Sequence, residues 1–316
     1  MWQYALRRLI AMAATLLGVS VIVFVMMRLI PGTVVEQLLG QSALVSEETV
    51  LSLRQFFGLD RPWHVQFVDW LGGVVRGDLG ESWRSDRPVL ELILARLPVS
   101  AELAVGAVAW SLLLGIPLGT VAALGRGTPY DGSIRFTATL GLSVPAFWQG
   151  TLLILLFSLY LSWMPPLDWI PITEDLRGNL AIMALPILTL GTATAAVITR
   201  MTRSSMLEVL RQDYIRTARA KGADEPRVAG RHGLRNALIP VATVAGVQMG
   251  YILGGIVVVE DVFNLPGVGR LLLDAIFQRD YPVVQGTILV GAALFMLLNL
   301  AVDLLYGVID PRIRYR

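Results

Sequence analysis

The chain has 316 residues, 55% of them hydrophobic and only 16% charged, with a mean hydropathy of +0.64. Soluble domains carry about a quarter charged residues, so the composition points to a membrane protein. A net charge of +2 and a single lysine, with no basic stretch interleaved with stacking aromatics, argue against nucleic-acid binding. The absence of cysteine excludes disulfides and thiol chemistry. The two histidines, His64 and His232, fall on opposite expected sides of the membrane, so no metal site is predicted.

In chain order, Arg7 and Arg8 precede Leu9–Met27, nineteen uncharged residues, close to the length that crosses a bilayer. A secretory signal is the competing reading. The run is long for a signal and ends in MMRLIPG without a small-x-small cleavage site, so it is read as a retained first helix. Residues 28–100 hold seven basic and nine acidic residues, a balance that suits an outer loop. Within it, Ser46 is a candidate cap for a helix with Val50, Leu53 and Phe57 on one face, ended by Gly58. After Pro62, residues Trp63, Phe67, Trp70, Leu71 and Val74 follow helical spacing, as in an interfacial helix. A packed outer cap is favoured there over direct substrate contact.

Leu103–Leu124, with Pro117, reads as the second span. Phe136–Leu167 has thirty-two uncharged residues, more than one upright helix needs, so a tilt or a break near Ser143-Val144-Pro145 is expected. Leu180–Thr199, with Pro186, is the fourth span. Ala237–Val259 is the fifth, and Gly246, Gly250, Gly254 and Gly255 predict close approach of another helix. The connection from Glu260 to Pro282 carries Leu271, Leu272, Ala275 and Ile276 in helical register, and Gly267-Val268-Gly269 reads as a turn rather than a phosphate loop. Val283–Val302 is the sixth span. The expected fold is an all-α integral membrane protein with six transmembrane helices and a large outer loop between the first two. Its segments are 1–30, the outer loop 31–100, a five-helix core 101–308, and a tail 309–316. Both termini are expected in the cytoplasm.

The loop between spans four and five reads TRMTRSSMLEVLRQDYIRTARAKGADEPRVAGRHGLRNALIP. From Arg200 to Arg235 it has nine basic and four acidic residues, which predicts the cytoplasmic side. Met206, Leu207, Leu210, Tyr214 and Ala218 form an apolar stripe on one expected helix. Gly222 breaks that helix, and Asp224 with Pro226 reads as the cap and first turn of a second short helix. An ordinary positive-inside connection is the plainer alternative to a docking knob.

The run YIRTARAKG…HGLRNALIP resembles the cytoplasmic loop of ATP-binding-cassette (ABC) importer permeases, in the form typical of the dipeptide/oligopeptide/nickel branch. The general family pattern is Glu-Ala-Ala, three residues, Gly, nine residues, Ile-x-Leu-Pro. Laid on Gly222, its glycine, the alanine at Ala218 and the leucine at Leu234 match. Its leading Glu falls on Arg216, its Ile on His232 and its Pro on Arg235. RLIPG at Arg28–Gly32, FGLDRPWHVQFVDWLGGVVRGDLGESW, EDVFNLPGVGRLL and the closing IDPRIRY also resemble that branch, with Thr33 where it usually has Asp. The resemblance runs from Arg7 to Tyr315 and is nearest to dipeptide and glutathione permeases.

It implies a type I ABC importer permease fold and the first of two permease subunits. It further implies a homologous second permease, two ATPase subunits, an extracytoplasmic substrate-binding protein and a peptide substrate, in the bacterial cytoplasmic membrane. The coupling residues it implies are Arg216, Thr217, Ala218, Ala220, Lys221, Gly222, Asp224, Arg231, His232, Leu234 and Arg235. No cofactor is implied on this chain; ATP and magnesium belong to the ATPase subunits.

The residues themselves show no catalytic constellation and no nucleotide loop, so the chain is not expected to be an enzyme. Candidate polar residues for a translocation path are Ser143, Gln149, Gln248 and Asn299, with Thr189 and Thr192; hydrogen bonding between helices is their plainer role. Competing functions are nickel, metal-chelate or glutathione import within the same family, an ion-coupled carrier, and a membrane scaffold.

Overall fold

The computed structural model describes residues 2–30, 35, 47–56, 58–166 and 168–309. It is nearly all helix: α1 (Trp2–Leu29), α2 (Glu47–Phe56), α3 (Trp63–Val75), α4 (Val89–Leu124), α5 (Pro129–Ser143), α6 (Ala146–Leu161), α7 (Leu176–Val209), α8 (Asp213–Ala220), α9 (Arg235–Val262), α10 (Val268–Phe277) and α11 (Tyr281–Ile309). The stretches α1, α4, α7, α9 with the turns leading into it, and α11 are long and apolar enough to cross a membrane. The pair α5–α6 makes a sixth crossing if taken as one broken span.

Of the two arrangements expected for the third span, a tilt or a break near Ser143-Val144-Pro145, the pair shows the break: two helices bent by 106°. Proline disfavours helical backbone at the residue before it, and Val144, before Pro145, is extended at φ −91°, ψ 121°. The second span differs, because α4 begins at Val89 and runs for 36 residues. Glu91, Arg96 and Glu102 lower the hydropathy of its first turns without disfavouring helix. Ser46 and Phe57 lie outside the described residues, but α2 does end at Gly58, whose φ of +63° suits a glycine stop.

Two compact units divide the chain, Met1–Pro98 with Gly267–Leu298, and Val99–Pro266 with Asn299–Tyr315. In the first, Phe24 of α1 packs against Phe67 (5.2 Å between ring centres) and Trp70 (6.2 Å) of α3. The Arg28 guanidinium lies over the Phe24 ring, 3.3 Å from its centroid, and donates to Gln66 Oε1 at 2.7 Å. Phe67 and Trp70 of the expected α3 stripe therefore face α1, while Trp63 is exposed. Elsewhere in this unit the buried Asp280 carboxylate accepts from Ser82 Oγ (2.6 Å) and the Trp83 amide (3.2 Å), pinning the GDLGESW turn to the start of α11. The Trp83 and Tyr281 rings meet beside that bond in a tilted arrangement, 5.1 Å between centres. Val89, Ile93, Leu271 and Ala275 fill the core behind it.

The second unit is built around α7, the most buried of its long helices. Val99, Leu103 and Ala107 of α4, Ile182, Met183, Leu185 and Leu190 of α7, and Ile252, Ile256 and Val259 of α9 form one core. Of the glycine series expected to allow close packing of α9, Gly255 approaches Leu190 of α7, whereas a side chain at Gly254 would meet open space. The tighter approach is between α4 and α7. A Cβ at Gly115 would lie 2.9 Å from the Ala195 carbonyl oxygen, and one at Gly191 would lie 2.9 Å from that of Ala107. At one end of the unit the buried Glu260 carboxylate accepts from Ser100 Oγ at 2.5 Å, joining α9 to α4.

Candidate functional site

The 200–236 segment is a splinted extension of two membrane helices. Helix α7 carries no charge from Gly178 to Thr199 and then continues past Arg200 and Arg203 to Val209. There a tight turn, with Leu210, Arg211 and Gln212 amides bonded to Met206, Glu208 and Val209 carbonyls, redirects the chain into α8. The expected single helix through Met206 and Ala218 is thus two. The stripe splits accordingly: Met206 is fully buried, Tyr214 is exposed, and Ile215, absent from the expected stripe, is the buried residue of α8.

Helix α8 ends at Gly222, whose φ of +83° lies in the left-handed region that glycine enters most cheaply. The amides of Gly222 and Ala223 return to the carbonyls of Arg219 and Ala218 and close the helix end. Arg219 forms a two-pronged pair with Glu225 across that bend, at 2.7 and 3.2 Å, which raises the Arg219 guanidinium above its ordinary value. Asp224 then precedes Pro226 at a helix start as expected, without a side-chain cap. The second short helix, however, is not separate. A single turn, Glu225–Arg227, passes into a π-helical stretch, Val228–Leu234, that continues directly into α9.

The π stretch packs tightly against the end of α7. Gly233 is buried, and a Cβ there would crowd Met206 Cε at 3.3 Å and Leu210 Cδ2 at 3.4 Å. Met206, Ala237 and Ala123 form a small core with Leu207, Leu210 and Leu234 around them. Asn236 Nδ2 donates to Tyr214 Oη (3.0 Å) and to the His232 carbonyl (2.9 Å), tying α8 to the start of α9.

The coupling residues implied by the family resemblance divide by exposure. Arg216, Thr217, Ala220, Lys221, Gly222, Asp224, Arg231 and Arg235 are exposed, while Ala218, His232 and Leu234 are half-buried. Leu234 packs inward. Arg216 pairs with Asp213 (3.3 Å), and the Thr217 hydroxyl donates to the Asp213 carbonyl, both within α8. Ile215, Gly233, the Arg219–Glu225 pair and the Tyr214–Asn236 bond were missed by sequence reasoning. Only Gly233, a second glycine beside a bulky pair, left a trace in the sequence.

The candidate path residues lie on four helices, Ser143 on α5, Gln149 on α6, Gln248 on α9 and Asn299 on α11. Ser143 is exposed and its hydroxyl donates to the Thr139 carbonyl; the other three are half-buried. Thr189 and Thr192 donate to the carbonyls of Leu185 and Leu188 within α7. Among the described residues no hydrogen bond joins any two of these side chains.

Residues 115–315 match the family model described as "Binding-protein-dependent transport system inner membrane component". Residues 1–104 match the model of the N-terminal part of such membrane components. The chain is 44% identical over 316 residues to the glutathione transport system permease protein GsiC of Salmonella typhimurium, with both chains fully covered. It is 42% identical over 339 residues to the dipeptide transport system permease protein DppB of Escherichia coli, and 41% identical over 336 to the di/tripeptide permease DppB of Pseudomonas aeruginosa, again with full coverage. Among solved structures it resembles a chain of the MetNI methionine ABC transporter in an inward-facing conformation, with a TM-score of 0.57 at 17% identity, over 70% of this chain and 97% of that one. An amino acid ABC transporter is similar at a TM-score of 0.52 and 15% identity, over 71% and 95%. The helical architecture is that of a type I ABC importer permease, and ATP hydrolysis belongs to other subunits of such systems. This multi-pass chain belongs to the family of binding-protein-dependent transport system inner membrane components.

Proposed function

We propose that the chain is one of two permease subunits of an importer for di- and tripeptides or glutathione, driven by ATP that partner subunits hydrolyse. The relatives named for glutathione and for di- and tripeptides, alike over their full length, support this substrate class. A homologous second permease, two ATPase subunits and an extracytoplasmic binding protein complete the assembly in the bacterial cytoplasmic membrane, with both termini inside. Functionally, residues 1–30 anchor the chain, 31–100 form the outer cap, 101–308 form the permease core, and 309–316 form an inner tail.

The observation that carries the mechanism is the splint between Met206, Gly233, Leu234 and Ala237. It joins the exposed turn around Gly222 to α7 and α9, the two helices at the centre of the second unit. A push on Ala218, Ala220, Lys221, Gly222 or Asp224 by an ATPase is therefore transmitted to α7 and α9 as a rigid displacement, and the cavity changes the side to which it opens. Arg216, Thr217, Arg231, His232 and Arg235 surround that turn as contacts for the ATPase surface. Ser143, Gln149, Gln248 and Asn299 supply polar groups along the path.

The test is uptake by proteoliposomes holding the whole complex with its binding protein, using a labelled dipeptide and unlabelled dipeptide, tripeptide, glutathione and nickel as competitors. Uptake of the label with competition by peptides but not nickel supports the reading, glutathione competing best narrows it to that tripeptide, and no uptake of the labelled dipeptide where labelled nickel is taken up overturns it.

A further inference from the structure

We propose that α5, α7 and α9 form a seat for the phosphate of an anionic phospholipid, on the same side of the membrane as the 200–236 segment. A cavity of about 590 Å³ is lined by Arg135, Thr139, Arg200 and Arg203. Beside it, sharing Arg200, lies a second cavity of about 420 Å³ whose walls include Val197, Met201 and Val244.

The three arginines are not equivalent. Arg203 forms a two-pronged pair with Asp131, at 2.7 and 2.8 Å, and the Asp131 side chain is only 4% exposed. That pair spends the charge of Arg203 inside the protein and fixes its guanidinium as a wall of the cavity. Arg135 and Arg200 are exposed, and their guanidinium groups make no hydrogen bond among the described residues. Asp131 also attracts Arg135 through space, but its oxygens are hydrogen-bonded to Arg203, so one carboxylate stands against the three guanidinium groups that line the cavity.

Their depth selects the ligand. The twenty-two uncharged residues of α7 from Gly178 to Thr199 rise about 33 Å, close to the roughly 30 Å of a bilayer's hydrocarbon core. Arg200 therefore lies where headgroups begin. A phosphate between Arg135 and Arg200 would be met bidentately, and the apolar cavity joined through Arg200 would receive an acyl chain. A soluble phosphate has no use for that second cavity, and an acidic protein surface would leave it empty. The inference requires only that the chain spans a membrane and is independent of the transported substrate.

The experiment is native mass spectrometry of the whole complex released from nanodiscs of phosphatidylcholine with phosphatidylglycerol as the minor lipid, comparing wild type with Arg135→Gln/Arg200→Gln. Both side chains are exposed and the Asp131–Arg203 pair is untouched, so the variant folds. Arg135→Lys/Arg200→Lys serves as the charge-keeping control. Wild type is expected to retain phosphatidylglycerol preferentially. The glutamine variant loses that preference by about twenty-fivefold, a factor of roughly five for each basic side chain. The lysine variant keeps most of it, and added inorganic phosphate does not displace the lipid. Equal retention of the two lipids by wild type, or an unchanged preference in the glutamine variant, overturns the proposal. Displacement by inorganic phosphate alone reassigns the cavity to a soluble anion. Loss of a protein subunit with lipid preference intact assigns the arginines to that subunit.

Discussion

Gly222 holds a backbone angle, φ +83°, that costs other residues roughly 1–2 kcal/mol, yet a side chain there would touch nothing. The expense of substitution is therefore conformational rather than steric, and it falls on an exposed turn rather than on the core. Aspartate tolerates the left-handed region better than a β-branched residue does. We expect Gly222→Asp to reach the membrane in normal amounts and to lower transport severalfold, and Gly222→Val to lower it about tenfold. Uptake assays on membranes of matched protein content check this; normal transport by Gly222→Val would remove the turn from the coupling role. The Asp131–Arg203 pair acts at the same scale with the opposite emphasis. Removing one partner of this two-pronged pair leaves the other charge without its hydrogen-bond partner, which is destabilising. Asp131→Asn should lower the thermal midpoint clearly, and the double change Asp131→Asn/Arg203→Gln should recover part of the loss, because no lone cation remains.

At the scale of elements, the contact between α4 and α7 depends on glycines that permit backbone approach. Gly115→Leu should prevent that approach and abolish accumulation of folded protein, since the added side chain meets Ile198 and the Ala195 carbonyl. Gly254→Ala meets nothing in this chain and should be neutral or gain up to about 1 kcal/mol from helix propensity, as read by thermal unfolding in detergent. Equal effects of the two changes would contradict the packing described. The contrast also shows where sequence reading stops. A spacing of four made the glycines of α9 look like an interface, but the three-dimensional partner decides which glycine is close-packed. Hydropathy located every apolar run but not the start of α4, because charged residues such as Glu91 and Arg96 are good helix formers. The break at Val144-Pro145 was legible, since proline acts locally on its predecessor. The angle of that break was not, because packing sets it.

For the whole molecule, family membership and the basic character of the 200–236 segment were open to reading from the sequence, and so was the glycine stop at Gly222. The wiring of that segment was not. The contact of Gly233 with Met206 and Leu210, and the passage of a π-helical stretch into α9, depend on residues twenty or more positions apart meeting in space. Ile215 was invisible for the same reason: the turn at Leu210–Gln212 resets the helical phase that sequence periodicity assumes. What the molecule needs for its proposed role is that this wired segment passes the state of an ATPase to α7 and α9. The most direct measurement is ATP hydrolysis by the complex purified through a tag on this chain, with and without its binding protein and a dipeptide mixture. The account predicts co-purified ATPase subunits whose rate rises severalfold with peptide and binding protein, and a flat rate for Gly222→Val. A lone chain with no associated ATPase, or a peptide response untouched by Gly222→Val, would contradict it.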